Sequence, residues 1–203
     1  MNARSVYVRK RPEIVSWVFA MSNALIVFAP VFVAAYIGTW LAVAFALVWF
    51  GTLAATLGNM LHETAHRLLF QSSRWNDRTG RWFLAPMFLT VFEQYRRRHF
   101  AHHHHVGTEH DTKYIYLTRL RGWGFVIFVA RCLTGVEALS RVTSMRQESE
   151  FVKRLTSIER WRGLIAILLF QALLVAGLFA AALDGTRNLV QALQNAVVVY
   201  VTA

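Results

Sequence analysis

All eight histidines of the chain fall between His62 and His110. Two belong to the stretch His62-Glu63-Thr64-Ala65-His66. Five more lie in His99-Phe100-Ala101-His102-His103-His104-His105, and His110 stands just beyond. Imidazole is the commonest protein ligand for first-row transition metals. On a helix, His62 and His66 are four apart and project from one face. His99, His102 and His103 have the i, i+3, i+4 spacing of a second single face. A strand would scatter the same residues to both sides. Two helices, each presenting imidazoles from one face, can enclose a metal ion between them.

Other readings compete with a built metal site. One histidine pair four apart is common by chance, and a solvated histidine-rich loop binds stray metal without function. Four consecutive histidines suggest a purification tag, yet this run is internal and extended by patterned neighbours. His62-Glu63-Thr-Ala-His66 also fits the HExxH pattern of zinc metalloproteases, in which the two histidines hold zinc and the glutamate is the general base. That reading leaves the second cluster without a purpose, because a mononuclear zinc site needs only one further protein ligand.

The elements carrying these residues read as membrane helices. The 203 residues are 56% hydrophobic and the mean hydropathy is +0.37, above the range of ordinary soluble domains. Residues 15–36, 40–60 and 163–183 are uncharged, and each reaches the ~20 residues a helix needs to span a bilayer. Gly38-Thr39 is the turn between the first two, with Pro30 set to kink the first. Residues 184–187 form a turn before a fourth apolar run, 188–203, that stops short of a full crossing. The expected fold is therefore an all-α integral membrane protein of two transmembrane hairpins, the fourth span incomplete, treated as one domain over 1–203. The first span is longer than the apolar core of a signal peptide and is followed at once by another, so it reads as retained.

Apolar residues 82–92 and 122–130 are too short to span and are expected at the membrane interface. Residues 142–162 read as an amphipathic surface helix entering the third span, with Glu150 placed to pair with Arg154. The lone Cys132 excludes an internal disulfide and a CxxC metal motif.

Charge gives an orientation. The net charge is +11, a balance that in a soluble protein would suggest nucleic acid. Here Arg4, Arg9, Lys10 and Arg11 precede the first span, Arg187 lies in the last turn, and the other basic residues fall between Arg67 and Arg162. The positive-inside rule puts the N-terminus and the histidine region on the cytoplasmic side, and no nucleic-acid partner is required.

The residues around the histidines resemble the membrane fatty acid desaturase family. His62-Glu-Thr-Ala-His66-Arg-Leu-Leu-Phe70 is similar to its first histidine box, HxxxH. Asn76-Asp77-Arg-Thr-Gly80-Arg81 resembles the connecting segment, Tyr95-Arg96-Arg-Arg-His99-Phe-Ala-His102-His103 the second box, and Gly107-Thr108-Glu-His-Asp111 the stretch that follows. The resemblance implies a non-haem di-iron oxidoreductase that uses dioxygen to desaturate or hydroxylate a lipid acyl chain. It implies two iron ions and, as ligands, His62, His66, His99, His102 and His103. Supporting roles around the metal fall to Glu63, His105 and Asp111, with His104 and His110 solvated.

The resemblance further implies an electron donor of the ferredoxin or cytochrome b5 type, since the chain carries no flavin or nicotinamide fingerprint. Arg96-Arg97-Arg98 is either a docking face for such an acidic donor or, more simply, part of the positive-inside pattern. The family's third histidine box has no counterpart here, for no histidine follows His110. The expectation is therefore the N-terminal part of a longer protein, or a truncated and inactive copy that binds only metal or a partner.

Overall fold

The computed structural model describes residues 12–108, 111, 122–133, 136, 154–186 and 188–202. Among these residues every regular element is helical. Helix α1 (Glu13–Ile37) and helix α2 (Trp40–Ala65) are followed by a short helix α3 (Ser73–Thr79), a π-helical turn (Gly80–Leu84) and a single turn α4 (Ala85–Met87). Helix α5 (Phe92–His105) comes next, then α6 (Trp123–Leu133), α7 (Ser157–Thr186) and α8 (Leu189–Thr202). Helices α1, α2 and α7 are long and apolar enough to cross a membrane, whereas α8 is shorter.

The packing inverts the pattern of a soluble bundle. The inward face of α1 is Ala20, Ala24, Val27, Val31, Ala34 and Ala35, all buried, while Leu25, Ile26 and Val33 point outward and are exposed. Lipid tails are as apolar as leucine, so no hydrophobic force draws large side chains inside, and small residues let helix backbones approach closely. Two hydroxyl groups of α2 bond their own helix backbone: Thr52 Oγ1 donates to Val48 O at 2.6 Å and Thr56 Oγ1 to Leu53 O at 2.7 Å. No water is available there to do it instead.

Pro30 sits inside α1. It has no N–H to give the carbonyl four residues back, which is that of Ile26. The indole Nε1 of Trp49, on α2, donates to Ile26 O at 2.8 Å and replaces the missing bond. The α1–α2 turn is closed by Gly38, whose φ of 69° is left-handed and whose N–H bonds Ala34 O. A Cβ there would collide with the side-chain amide of Asn195 on α8, so the position requires glycine twice over.

Two apolar clusters fill the bundle. One joins α1 and α2 to α7 and α8 through Val31, Ala35, Val43, Leu178, Ala192 and Val199. The other gathers Val27, Leu57, Leu61, Phe70, Leu84 and Phe92 below the histidines. Residues 82–92 are thus more than a surface strip. Trp82, Phe88 and Leu89 remain exposed, but Leu84, Ala85, Pro86 and Phe92 are core, and Gln171 Nε2 of α7 donates to Pro86 O at 3.1 Å. Gly80 makes room for this, since a Cβ would run into the Phe92 ring.

Most of the expected amphipathic helix, 142–153, lies outside the described residues. Residues 154–156 are not helical, and Ser157 begins a helix that continues without interruption into the span. The cause is a capping box, Thr156-Ser-Ile-Glu159. Glu159 N donates to Thr156 Oγ1 at 3.2 Å, and Thr156 N donates back to Glu159 Oε2 at 2.8 Å. Helix α6 covers most of the second short apolar segment and leaves Trp123, Phe125, Val126 and Ile127 exposed.

Candidate metal centre

Helix α2 runs on through Ala65, so His62 lies in its last turn and His66 caps its C-terminus. The helix ends in a Schellman arrangement. Arg67 N donates to Thr64 O at 3.0 Å, Leu68 N to Glu63 O at 2.8 Å, and Arg67 itself has φ 60°. The loop beyond is held by the fully buried Asn76. Its Oδ1 accepts Phe70 N at 3.1 Å, and its Nδ2 donates to Phe70 O at 2.7 Å and to Ser72 O at 2.9 Å. Helix α5 then returns across the end of α2 with His99 buried on its inner face.

The structure brings together His62, His66, His99 and His103, with one ligand nitrogen from each lying within 4.8 Å of all the others. Their burial grades outward, from buried His99 through half-buried His62 and His66 to exposed His103. The Nε2 atoms of His66 and His99 are 2.7 Å apart, those of His66 and His103 3.2 Å, and those of His99 and His103 3.0 Å. Three neutral imidazole nitrogens in such a triangle cannot all hydrogen-bond, because each is either a donor or an acceptor and each proton serves one partner. A shared cation accepts all the lone pairs at once. Imidazole nitrogen binds metal at about 2.1 Å, so two ligands at right angles stand about 3 Å apart. The observed spacing fits.

The local electrostatics favour the neutral form of His66, the form a cation needs. Burial first, then the neighbouring His62 and His103, hold the His66 pKa below its ordinary value, against a smaller opposing pull from Glu63. Only neutral imidazole is a ligand. Glu63 Oε1 lies 3.2 Å from His62 Nδ1. With a proton on that nitrogen, the Nε2 lone pair is left for a metal, as carboxylates beside ligand histidines commonly arrange. The Tyr95 ring lies parallel to that of His99, within 2° and 5.7 Å between centroids. The Phe100 ring stands edge-on to His66 at 5.2 Å.

His102 is not in the four-ring group. Its Nδ1 stands 2.5 Å from Asp111 Oδ1, and Asp111 is buried, with its other oxygen accepting Gly107 N at 3.4 Å. The i, i+3, i+4 trio therefore splits: His99 and His103 share one target while His102, about 60° to 100° round the helix from each, faces the carboxylate. His104 is exposed and His105 half-buried; His110 lies outside the described residues.

The basic triplet is divided as well. Arg96 bonds Asp77, and Arg97 Nη2 donates to Glu159 Oε1 at 2.6 Å and its Nη1 to Arg154 O at 2.8 Å. Two of the three guanidinium groups therefore serve internal ion pairs. Asn76, Asp77 and Arg96 shape the site without belonging to the histidine cluster. Their sequence signal was the connecting segment and second box, which carried the resemblance but named no role for them.

A family model described as fatty acid desaturase matches residues 38–203. The matched region contains α2, α5 and all four clustered histidines. The chain belongs to the fatty acid desaturase family, and its three long apolar helices make it a membrane protein. Comparison with curated proteins and with solved structures gave no match.

Proposed function

We propose that this protein is a membrane-bound oxidoreductase that desaturates or hydroxylates a fatty acyl-type chain at a histidine-held iron centre. The observation that carries the reading is the convergence of His62, His66, His99 and His103 at the end of a membrane helix. In this reading those four residues and His102 hold two iron ions, and Glu63, His105 and Asp111 support them. When loaded, such a centre activates dioxygen for attack on an unactivated C–H bond. For desaturation, two hydrogens leave the chain, a donor supplies two electrons and two protons arrive, and dioxygen becomes two waters. The donor is a separate ferredoxin- or cytochrome b5-type protein reaching the cytoplasmic face.

The chain's own residues have separable tasks. Glu63 holds the His62 proton at Nδ1, and Asp111 does the same for His102, leaving each Nε2 to bind. The buried, aromatic surroundings of His99 limit water at the inner side of the site. The exposed apolar flanks of α1, α2 and α7 admit a lipid chain directly from the bilayer.

The alternative of a zinc protease is disfavoured by the same geometry. A catalytic zinc keeps three protein ligands and an open position, whereas here four imidazoles converge, and Glu63 turns to a histidine rather than into the space between them. Metal analysis of the purified chain, with lipid profiling of a host expressing it, tests the proposal. Iron at about two ions per chain with altered acyl chains is expected, and His99→Ala should lose most of the iron while His104→Ala keeps it. One zinc per chain with peptidase activity would favour the protease; metal without any lipid change would favour the inactive copy.

A further inference from the structure

The two histidine pairs come from helices far apart in sequence, and something must set the distance between them. One carboxylate reaches both. Asp77, on α3, accepts Arg67 Nη2 at 3.1 Å and Arg67 Nε at 3.3 Å, and it also accepts Nη2 of Arg96. Arg67 directly follows His66. Arg96 lies three residues before His99, on the same side of α5. The Arg96 Nη2 that bonds Asp77 also donates to Thr64 O at 3.2 Å, and Thr64 is a fully buried residue between His62 and His66. Its guanidinium carbon rests 4.5 Å from the centroid of the Phe92 ring, one turn further back on α5.

An isolated surface ion pair would carry little. This group is different in two respects. The Asp77 and Arg96 side chains are 25% and 20% exposed, so most of their field is felt by each other rather than by solvent. Arg67 also occupies a left-handed backbone position that ordinarily favours glycine. An arginine kept there at the expense of backbone strain gains an arm onto Asp77 that glycine lacks.

We propose that Asp77 is a positioning residue that sets the register of His62 and His66 against His99 and His103, through Arg67 on one side and Arg96 on the other. The role rests on the metal-centre reading of the four histidines. Asp77 touches no ligand itself, and it acts by fixing where the two helix ends meet.

Cobalt(II) titration of the full chain purified in detergent tests this, because affinity and the visible ligand-field bands both report ligand placement independently of turnover. Asp77→Ala should keep its helical circular dichroism but bind Co2+ about tenfold to a hundredfold more weakly, the range found when outer supports of a metal site are removed. Its bands should shift, and Asp77→Glu should recover part of the affinity. Arg67→Gly separates positioning from stability, since it relieves the backbone while removing one arm. Its melting temperature should hold or rise while Co2+ binding weakens by several-fold, and it decides the matter if Asp77→Ala does not fold. Wild-type binding alongside unchanged affinity and bands in the folded variants overturns the role of Asp77 alone. Absence of Co2+ binding by the wild type overturns the metal centre and the positioning role together.

Discussion

The burial gradient across the four histidines, from His99 inside to His103 at the surface, ranks how much each depends on its surroundings. His99 is fixed by the Tyr95 ring and by the packing of α5, so it is the ligand least able to relocate. His103 has the most freedom to adjust to a ligand. Asp77 makes the stability of the site depend on pH. Burial acts to raise its pKa, but the hydrogen bonds and charges of Arg96 and Arg67 prevail and hold it below the ordinary carboxylate value. A depressed carboxylate stabilises the fold above its unfolded pKa of about 3.9, and that contribution is lost as pH falls through the folded-state value. Thermal melting in detergent should therefore show Asp77→Asn less stable than wild type at pH 7, with the two curves converging below about pH 4. A gap that stays constant across that window would mean the carboxylate's charge contributes nothing.

Among the elements, α1 and α2 are coupled by a bond that neither helix can supply alone. Pro30 leaves the Ile26 carbonyl without its helical donor, and the Trp49 indole fills the place. Trp49→Phe should cost about 1–3 kcal/mol, the range for a buried polar group left unsatisfied. In a Pro30→Ala background the restored backbone N–H serves that carbonyl, so the same change should cost distinctly less. A double-mutant cycle read by thermal melting would show a coupling of about 1 kcal/mol, and strictly additive costs would contradict the account. The π-helical turn shows the same dependence between elements. Gly80→Ala forces its new methyl against the Phe92 ring in a filled cluster, and overpacking of that kind costs about 1–3 kcal/mol. The capping box at Thr156 is a local device by comparison, and its four residues suffice to start α7.

For the whole molecule, the histidines gather at one end of the bundle, while the Gly38 turn packs against α8 at the other. The orientation proposed from the charge pattern has the histidine end toward the cytoplasm, and membrane-impermeant thiol labelling in a Cys132→Ser background tests it. His104→Cys should label only after permeabilisation and Asp184→Cys without it; the reverse would invert the topology. Much of this architecture was legible in the sequence. Uncharged runs longer than a bilayer crossing can only be satisfied as helices in lipid, because every backbone polar group must bond within its own segment. That constraint is local, so α1, α2 and α7 could be read off, as could the pairing of His62 with His66. The exchange at Thr156 is equally local, but the expectation of one amphipathic helix over 142–162 runs across it, because amphipathic patterning by itself does not mark where a helix starts. Tertiary structure alone decided the rest. Helical spacing puts His99, His102 and His103 on one broad face. Only the approach of α2 selects His99 and His103 for the cluster, while the chain returning at Asp111 turns His102 aside. The tasks of Asp77 and Arg96 were likewise invisible, since an ion pair between separate helices depends on distances that no local rule contains.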